Sequence, residues 1–445
     1  MSEEMLCRKR RLSSFQIIIL GFAGVILLGA LLLMLPISAT ARCVTPFHEA
    51  LFTATSAVCV TGLVVQDTGS YWSVFGQAVI LTLIQIGGLG VVTVAASFAL
   101  LSGRRISLMQ RSIMQDAISA PKVGGIVRLT RFILRGTFLI ELIGALAMLP
   151  VFCRDYGWRG IWMAVFHSVS AFCNAGFDIL GTNNNLYPSL TGYVQNPVIN
   201  ITIMLLIITG GIGFLTWDDI CENKLHFHRY RMQSKVIVIV TLVLIVLPAL
   251  FFFFADFGAL PLGERIQAAL FQSVSTRTAG MNTVDLASCG PLSKLLMSVL
   301  QFIGAAPGST GGGIKTSTLF ALLIGVKAAA TNQSEKAFRY SMPVEAFRKA
   351  AIITFVSLCV VVTGTYALSA LEPGLDMRDA LFEVVSAFGT VGLSTGITGG
   401  LSTSSKLLSI AIMFIGRIGP LTIITLWYFS NGKNARFPYG NIAIG

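Results

Sequence analysis

Ala50-Leu51-Phe52-Thr53-Ala54-Thr55-Ser56 leads on to Gly62, and the chain then says the same thing three more times. Ala164-Val165-Phe166 leads through Ser170 to Gly176, Ala269-Leu270-Phe271 through Ser275 to Gly280, and Ala380-Leu381-Phe382 through Ser386 to Gly392. The four glycines are spaced 114, 104 and 112 residues apart. A pattern repeated at such intervals marks one structural unit used four times. Each copy lies between long apolar stretches. Four short segments ending in a glycine hairpin, set around one axis in a membrane, make a pore.

Composition fixes the surroundings. The chain has 445 residues, 54% hydrophobic and 12% charged, with mean hydropathy +0.78. Soluble domains average about 25% charged residues. Half that value, with apolar runs of about 20 residues, predicts a polytopic membrane protein. The net charge of +12 reads as topology rather than as a nucleic-acid surface, because the basic residues are clustered. They gather at Arg8, Lys9, Arg10 and Arg11, at Arg104, Arg105, Arg111 and Lys122, at Lys224, Arg229, Arg231 and Lys235, at Lys327, Lys336, Arg339, Arg348 and Lys349, and at Lys433 and Arg436. The opposite loops carry few. By the positive-inside rule the clustered loops and both termini are cytoplasmic. The eight cysteines stand singly, with no C-x-x-C, and predict neither a disulfide framework nor a zinc site. Cys221, His226 and His228 read as part of a solvated loop.

The expected fold is an all-α membrane protein forming a single transmembrane domain. It has four parallel repeats, at about 14–101, 127–220, 235–327 and 349–430, each a long helix, a short re-entrant helix and a second long helix. That makes eight transmembrane helices around one pore. The second long helices are expected at about 72–101, 194–220, 292–327 and 405–430, the third of them interrupted by a glycine-rich run. The short segments, about 12 residues each, would reach only about 18 Å into a core of about 30 Å, so they enter and turn back. Thr45 and Pro46 predict an N-cap followed by proline at the first helical position. Asp376 is the expected cap of the fourth copy. Non-helical backbone at membrane depth survives only where it is buried in protein or lines a watery path.

The hairpins read Cys59-Val60-Thr61-Gly62, Cys173-Asn174-Ala175-Gly176, Thr278-Ala279-Gly280 and Thr390-Val391-Gly392. No acidic side chain is common to them. A cation bound here is held by main-chain carbonyls that replace its hydration shell. Helix C-terminal ends aimed at the axis favour a cation too. K⁺ suits such a ring; Mg²⁺ keeps its water and wants carboxylates.

These hairpins, together with Gln85-Ile86-Gly87-Gly88-Leu89-Gly90, Thr209-Gly210-Gly211-Ile212-Gly213, the run Gly304–Lys315 and Gly416-Arg417-Ile418-Gly419-Pro420, resemble the membrane subunit of the Ktr/Trk/HKT superfamily of K⁺ transporters, nearest its bacterial Ktr branch. The likeness covers almost the whole chain. It implies that Val60, Thr61, Gly62, Asn174, Ala175, Gly176, Thr278, Ala279, Gly280, Thr390, Val391 and Gly392 form the filter. Glycine rather than serine at the first place implies a preference for K⁺ over Na⁺. It further implies a homodimer with one pore per protomer in the plasma membrane, seated on a cytosolic ring of RCK/KTN-type nucleotide-binding subunits. No cofactor belongs to the chain itself. Cys59 departs from the usual hydroxyl residue. The third copy is one residue shorter and carries Arg277, a charge that needs a partner, for which Glu383 is a candidate.

The run Gly304-Ala305-Ala306-Pro307-Gly308-Ser309-Thr310-Gly311-Gly312-Gly313-Ile314-Lys315 is no P-loop, because Ile314 parts Gly313 from Lys315 and no strand precedes it. Five glycines and a proline break a membrane helix. By resemblance the run is an intramembrane gate, with Lys315 and Arg417 beside it and Arg417 holding its carbonyls. Two transport readings stay open, a K⁺ pore and a Na⁺-coupled K⁺ symporter. An enzyme would need paired acids or an activated nucleophile. Glu141 is a lone acid, read as bracing Arg135 or a neighbouring helix.

Overall fold

In the computed structural model, residues 14–101, 107–118, 124–224, 226–338, 340–420 and 422 are described. Basic residues at positions 8–11, 104, 105, 122, 339, 433 and 436 lie outside them. The helices, in chain order, are α1 Ser14–Met34, α2 Phe47–Cys59, α3 Val74–Leu89, α4 Val91–Leu101, α5 Leu108–Ile118, α6 Ile126–Tyr156, α7 Arg159–Phe172 and α8 Pro197–Gly211. There follow α9 Phe214–Asn223, α10 Met232–Ala255, α11 Leu262–Thr276, α12 Pro291–Phe302, α13 Thr316–Thr331, α14 Val344–Leu371, α15 Met377–Gly389 and α16 Thr403–Ile418.

Long apolar helices α1, α6, α10 and α14 are long enough to cross a membrane. Their outer faces expose Leu28, Leu31, Leu139, Leu142, Leu247, Phe254, Phe355 and Val362, the surface that hydrocarbon covers. The short helices α2, α7, α11 and α15 are the inverse. Their repeated phenylalanines, Phe52, Phe166, Phe271 and Phe382, are buried. Each second helix packs on the next short helix: α3 on α7, α8 on α11, α12 on α15, and α16 back on α2. That last contact closes the circuit.

Two of the second helices are sharply bent. α3 and α4 meet at 97°, and α8 and α9 at 100°. The residues at the breaks are Gly90 (φ 85) and Gly213 (φ 88), and α16 ends at Gly419 (φ 93). Only glycine takes these left-handed values freely, so the helix stops where glycine allows it to turn. The third unit breaks differently: the 303–315 loop separates α12 from α13. By length and apolarity the described residues therefore hold four spans, or six if each bent pair counts as one. The bends at Gly90 and Gly213 were not expected, because a hydropathy window does not see a glycine bend, whereas the interruption of the third unit was.

Two smaller expectations divide. Asp376 caps α15, accepting from Arg378 N at 2.8 Å. Thr45 caps nothing. Pro46 takes the N-cap position of α2, and Thr45 Oγ1 instead shares a hydrogen bond with the Tyr71 hydroxyl at 3.1 Å.

Candidate ion path

The repeated serine makes the hairpin. In each copy its carbonyl accepts from the amide five residues on: Ser56 from Thr61 at 2.8 Å, Ser170 from Ala175 at 2.8 Å, Ser275 from Gly280 at 3.4 Å and Ser386 from Val391 at 2.9 Å. The hydroxyls finish the turn. Ser56 Oγ accepts from Gly62 N at 3.1 Å and Ser386 Oγ from Gly392 N at 3.0 Å. Ser170 Oγ donates to Phe177 O at 2.7 Å, and Ser275 Oγ to Met281 O. The four serines are fully buried, where an unmade hydrogen bond is costly. The third copy, one residue short, brings its glycine itself to the fifth position.

The four hairpins meet. A Cβ on Gly62 would lie 2.5 Å from Ala175 O, and one on Gly176 would lie 2.6 Å from Ala279 O. One on Gly280 would strike Val391 O, and one on Gly392 would strike Thr61 O. Each glycine thus abuts the carbonyl that precedes the next glycine, in a closed ring. All four have φ between 73 and 93, a range in which a side chain would be strained as well as crowded. The short helices end just before this ring, with their partial negative charge toward it.

On one side the ring opens into a cavity of about 210 Å³, lined by all four glycines and by Asp67, Asp178 and Asp285. Asp67 is held by Ser70 N and Oγ, both at 2.8 Å, and by Tyr187 N at 2.8 Å. Burial first, and then the Asp67 and Glu49 carboxylates, hold the Tyr187 phenol above its ordinary value. These acids escaped the sequence reading, which sought one acid common to all four hairpins. Asp67 and Asp285 stand five positions beyond Gly62 and Gly280, and that offset was the available signal.

On the other side lies the 303–315 loop. Its ends pair with each other, Gly304 N to Ile314 O at 2.8 Å. Its middle is fastened to the second unit: Ala306 N donates to Gly211 O at 3.0 Å and Thr310 N to Gly210 O at 3.3 Å. Phe214 N donates back to Gly308 O at 2.8 Å. Lys315 Nζ donates to Gly311 O at 2.7 Å. Ser309 Oγ closes a local turn on Ala306 O at 2.5 Å. Arg417 donates through one nitrogen to Thr310 O and through the other to Gly87 O. The expected grip of Arg417 on a loop carbonyl is therefore present, and its second hold, on Gly87, was not foreseen. Lys315 and Arg417 line a second cavity of about 350 Å³ beside Gly308, Gly311 and Asp116.

Gly87, Gly210 and Gly416 share a task. A Cβ on any of them would strike a carbonyl in the last turn of a short helix, Val58, Phe172 or Phe388. Close approach of backbones is what small residues give membrane helices. In the third unit the equivalent place, two residues beyond its serine, is Arg277.

Arg277 does not meet Glu383. Among the described residues no carboxylate lies within 4.0 Å of its guanidinium, and its Nε is buried without a partner. Glu383 instead accepts from the Thr398 hydroxyl. Arg277 stands two residues beyond Ser275 and Glu383 three before Ser386, so the two lie at different levels of their helices. Glu141 meets Gln85 of α3, whose Nε2 donates to it at 3.3 Å, and not Arg135.

The fold and the ring define a membrane-embedded helical protein with a cavity at its ring and another at its loop. It belongs to the TrkH cation transport protein family, matched over residues 8–435. The chain is 39% identical to Ktr system potassium uptake protein B of Bacillus subtilis (strain 168), over 97% of this chain and 96% of that one. It is 38% identical to the potassium/sodium uptake protein NtpJ of Enterococcus hirae, over the same shares. Its fold is similar to the crystal structure of the potassium transporter TrkH from Vibrio parahaemolyticus, with TM-score 0.74, 18% identity, and coverage of 95% of this chain and 86% of that one.

Proposed function

We propose that the chain is the K⁺-translocating subunit of an uptake system in the plasma membrane. It is read as four parallel repeats of long, re-entrant and long helix about one pore, with both termini cytoplasmic. The observation that carries this is the closed ring of Gly62, Gly176, Gly280 and Gly392 against the carbonyls of Ala175, Ala279, Val391 and Thr61. A ring of carbonyls and helix ends, with acids above it and no carboxylate within it, suits a weakly hydrated monovalent cation. The twelve hairpin residues act as the filter through their backbone. The 303–315 loop, with Lys315 and Arg417, acts as the gate. An inside-negative potential of 100 mV drives entry with about 2.3 kcal/mol per charge.

The subunit is read as a homodimer on a cytosolic nucleotide-binding ring; relatives named as protein B of Ktr systems support a separate partner subunit. A Na⁺-coupled symporter is the second reading, and the relative named as a potassium/sodium uptake protein favours keeping it. The test is growth at low K⁺ of cells lacking K⁺ uptake, with and without the partner ring, joined to K⁺ and Na⁺ flux into liposomes. No rescue and no K⁺ flux under either condition would refute the proposal. Strict dependence of K⁺ flux on Na⁺ would select the symporter.

A further inference from the structure

The residue two places before each glycine is Val60, Asn174, Thr278 or Thr390. All four side chains are buried, and three of them are polar. Those three face the 303–315 loop. Asn174 Nδ2 donates to Thr310 Oγ1 at 2.7 Å, and Asn174 Oδ1 accepts from Thr278 Oγ1 at 2.9 Å. Thr310 Oγ1 in turn donates to Phe172 O, at the end of α7, at 3.2 Å. Thr390 Oγ1 accepts from Gly312 N at 3.0 Å. Val60 offers no such group, and Arg417, which holds the loop at Thr310 O, also reaches Gly87 of the first unit.

One chain of donors therefore runs from the third hairpin, through the Asn174 amide, to the loop and back to the second short helix. We propose that Asn174 is a positioning residue that clasps the loop to the second and third hairpins, so that loop release and hairpin geometry are a single event. This rests on the filter and gate reading above and deepens it. The physical argument is one of satisfaction. Thr310 and Asn174 are fully buried. If the loop moves, the Asn174 amide loses the Thr310 hydroxyl and keeps only its longer bond to Phe172 O at 3.4 Å, and the second hairpin must readjust. A loop that merely plugged the path would need no side-chain bonds to the hairpins. Asn174 also suits its backbone, since φ is 59 there and asparagine tolerates the left-handed region.

The test is a double-mutant cycle on the full chain in liposomes. Asn174→Gly removes the amide but keeps the left-handed turn. Thr310→Val removes the hydroxyl but keeps the shape. Each is expected to raise K⁺ flux about three- to tenfold, the scale of one buried hydrogen bond, and the double variant no further than either alone. Thr310→Val is also expected to lower the K⁺/Na⁺ flux ratio, although Thr310 belongs to no hairpin. Thr310→Ser, which restores the hydroxyl, should undo most of both changes. Additive effects, an unchanged flux ratio in Thr310→Val, or equal effects of valine and serine would each overturn the clasp. The parent's own K⁺ flux reports separately on the reading beneath it. The same cycle is read on the thermal midpoint of the purified protein. Coupled midpoints with no conducting variant would leave a contact and overturn its gating role.

Discussion

Gly62 and its three counterparts show why one residue type recurs at one place. Each has a positive φ, and each would drive a Cβ into its neighbour's backbone. Serine at Gly62, Gly176 or Gly392 must therefore push the ring apart. The expected outcome is weaker K⁺ uptake with Na⁺ competing better, read as the K⁺/Na⁺ flux ratio. A ratio unchanged in all three variants would remove these glycines from the filter. Arg417 makes a different kind of prediction. It holds the loop at Thr310 O and α3 at Gly87 O, and bonds from a charged donor contribute about 1.5–3 kcal/mol. Arg417→Ala is expected to raise K⁺ flux roughly tenfold or more, with lessened dependence on the partner ring. Flux at or below the parent level would make the arginine a structural tie only.

At the scale of elements, the second helices follow a rule written in pairs of glycines. In α3, α8 and α16 the first, Gly87, Gly210 or Gly416, lets the helix lie against a short helix. Three residues later Gly90, Gly213 or Gly419 turns the chain. The first of each pair is a packing position, so Gly87→Ala should cost stability by about 1–3 kcal/mol. Gly24→Ala on α1, where nothing lies within 4 Å of the added atom, should cost nothing measurable. Thermal midpoints of the purified variants test the contrast, and equal midpoints would show that α3 simply shifts outward. These motifs stood in the sequence, yet the bends were not read from it. Hydropathy averages over a window, and a single glycine in an apolar run does not change the average. The loop after α12 was legible because five glycines and a proline do.

Across the whole molecule, the chain forms a circuit of helices whose short helices end at the ring of four glycines. Nothing in the 303–315 loop has P-loop chemistry. We expect the purified chain alone to bind neither ATP nor ADP, with nucleotide altering flux only when the cytosolic ring is present. Saturable binding measured calorimetrically on the chain alone would contradict this.

The membrane setting, the fourfold pattern and the hairpin residues were all legible in the sequence. Each of these is a property of composition or spacing, and spacing survives in one dimension. Which partners meet across units emerges from the packing alone. Asn174 and Thr310 are 136 residues apart, and Arg417 and Gly87 are 330 apart. Arg277 and Glu383 looked paired along the chain but are not in space. A buried polar group must find a partner, and the sequence states that need. Which partner it finds depends on how helices from different units approach, and that is fixed only when the circuit closes.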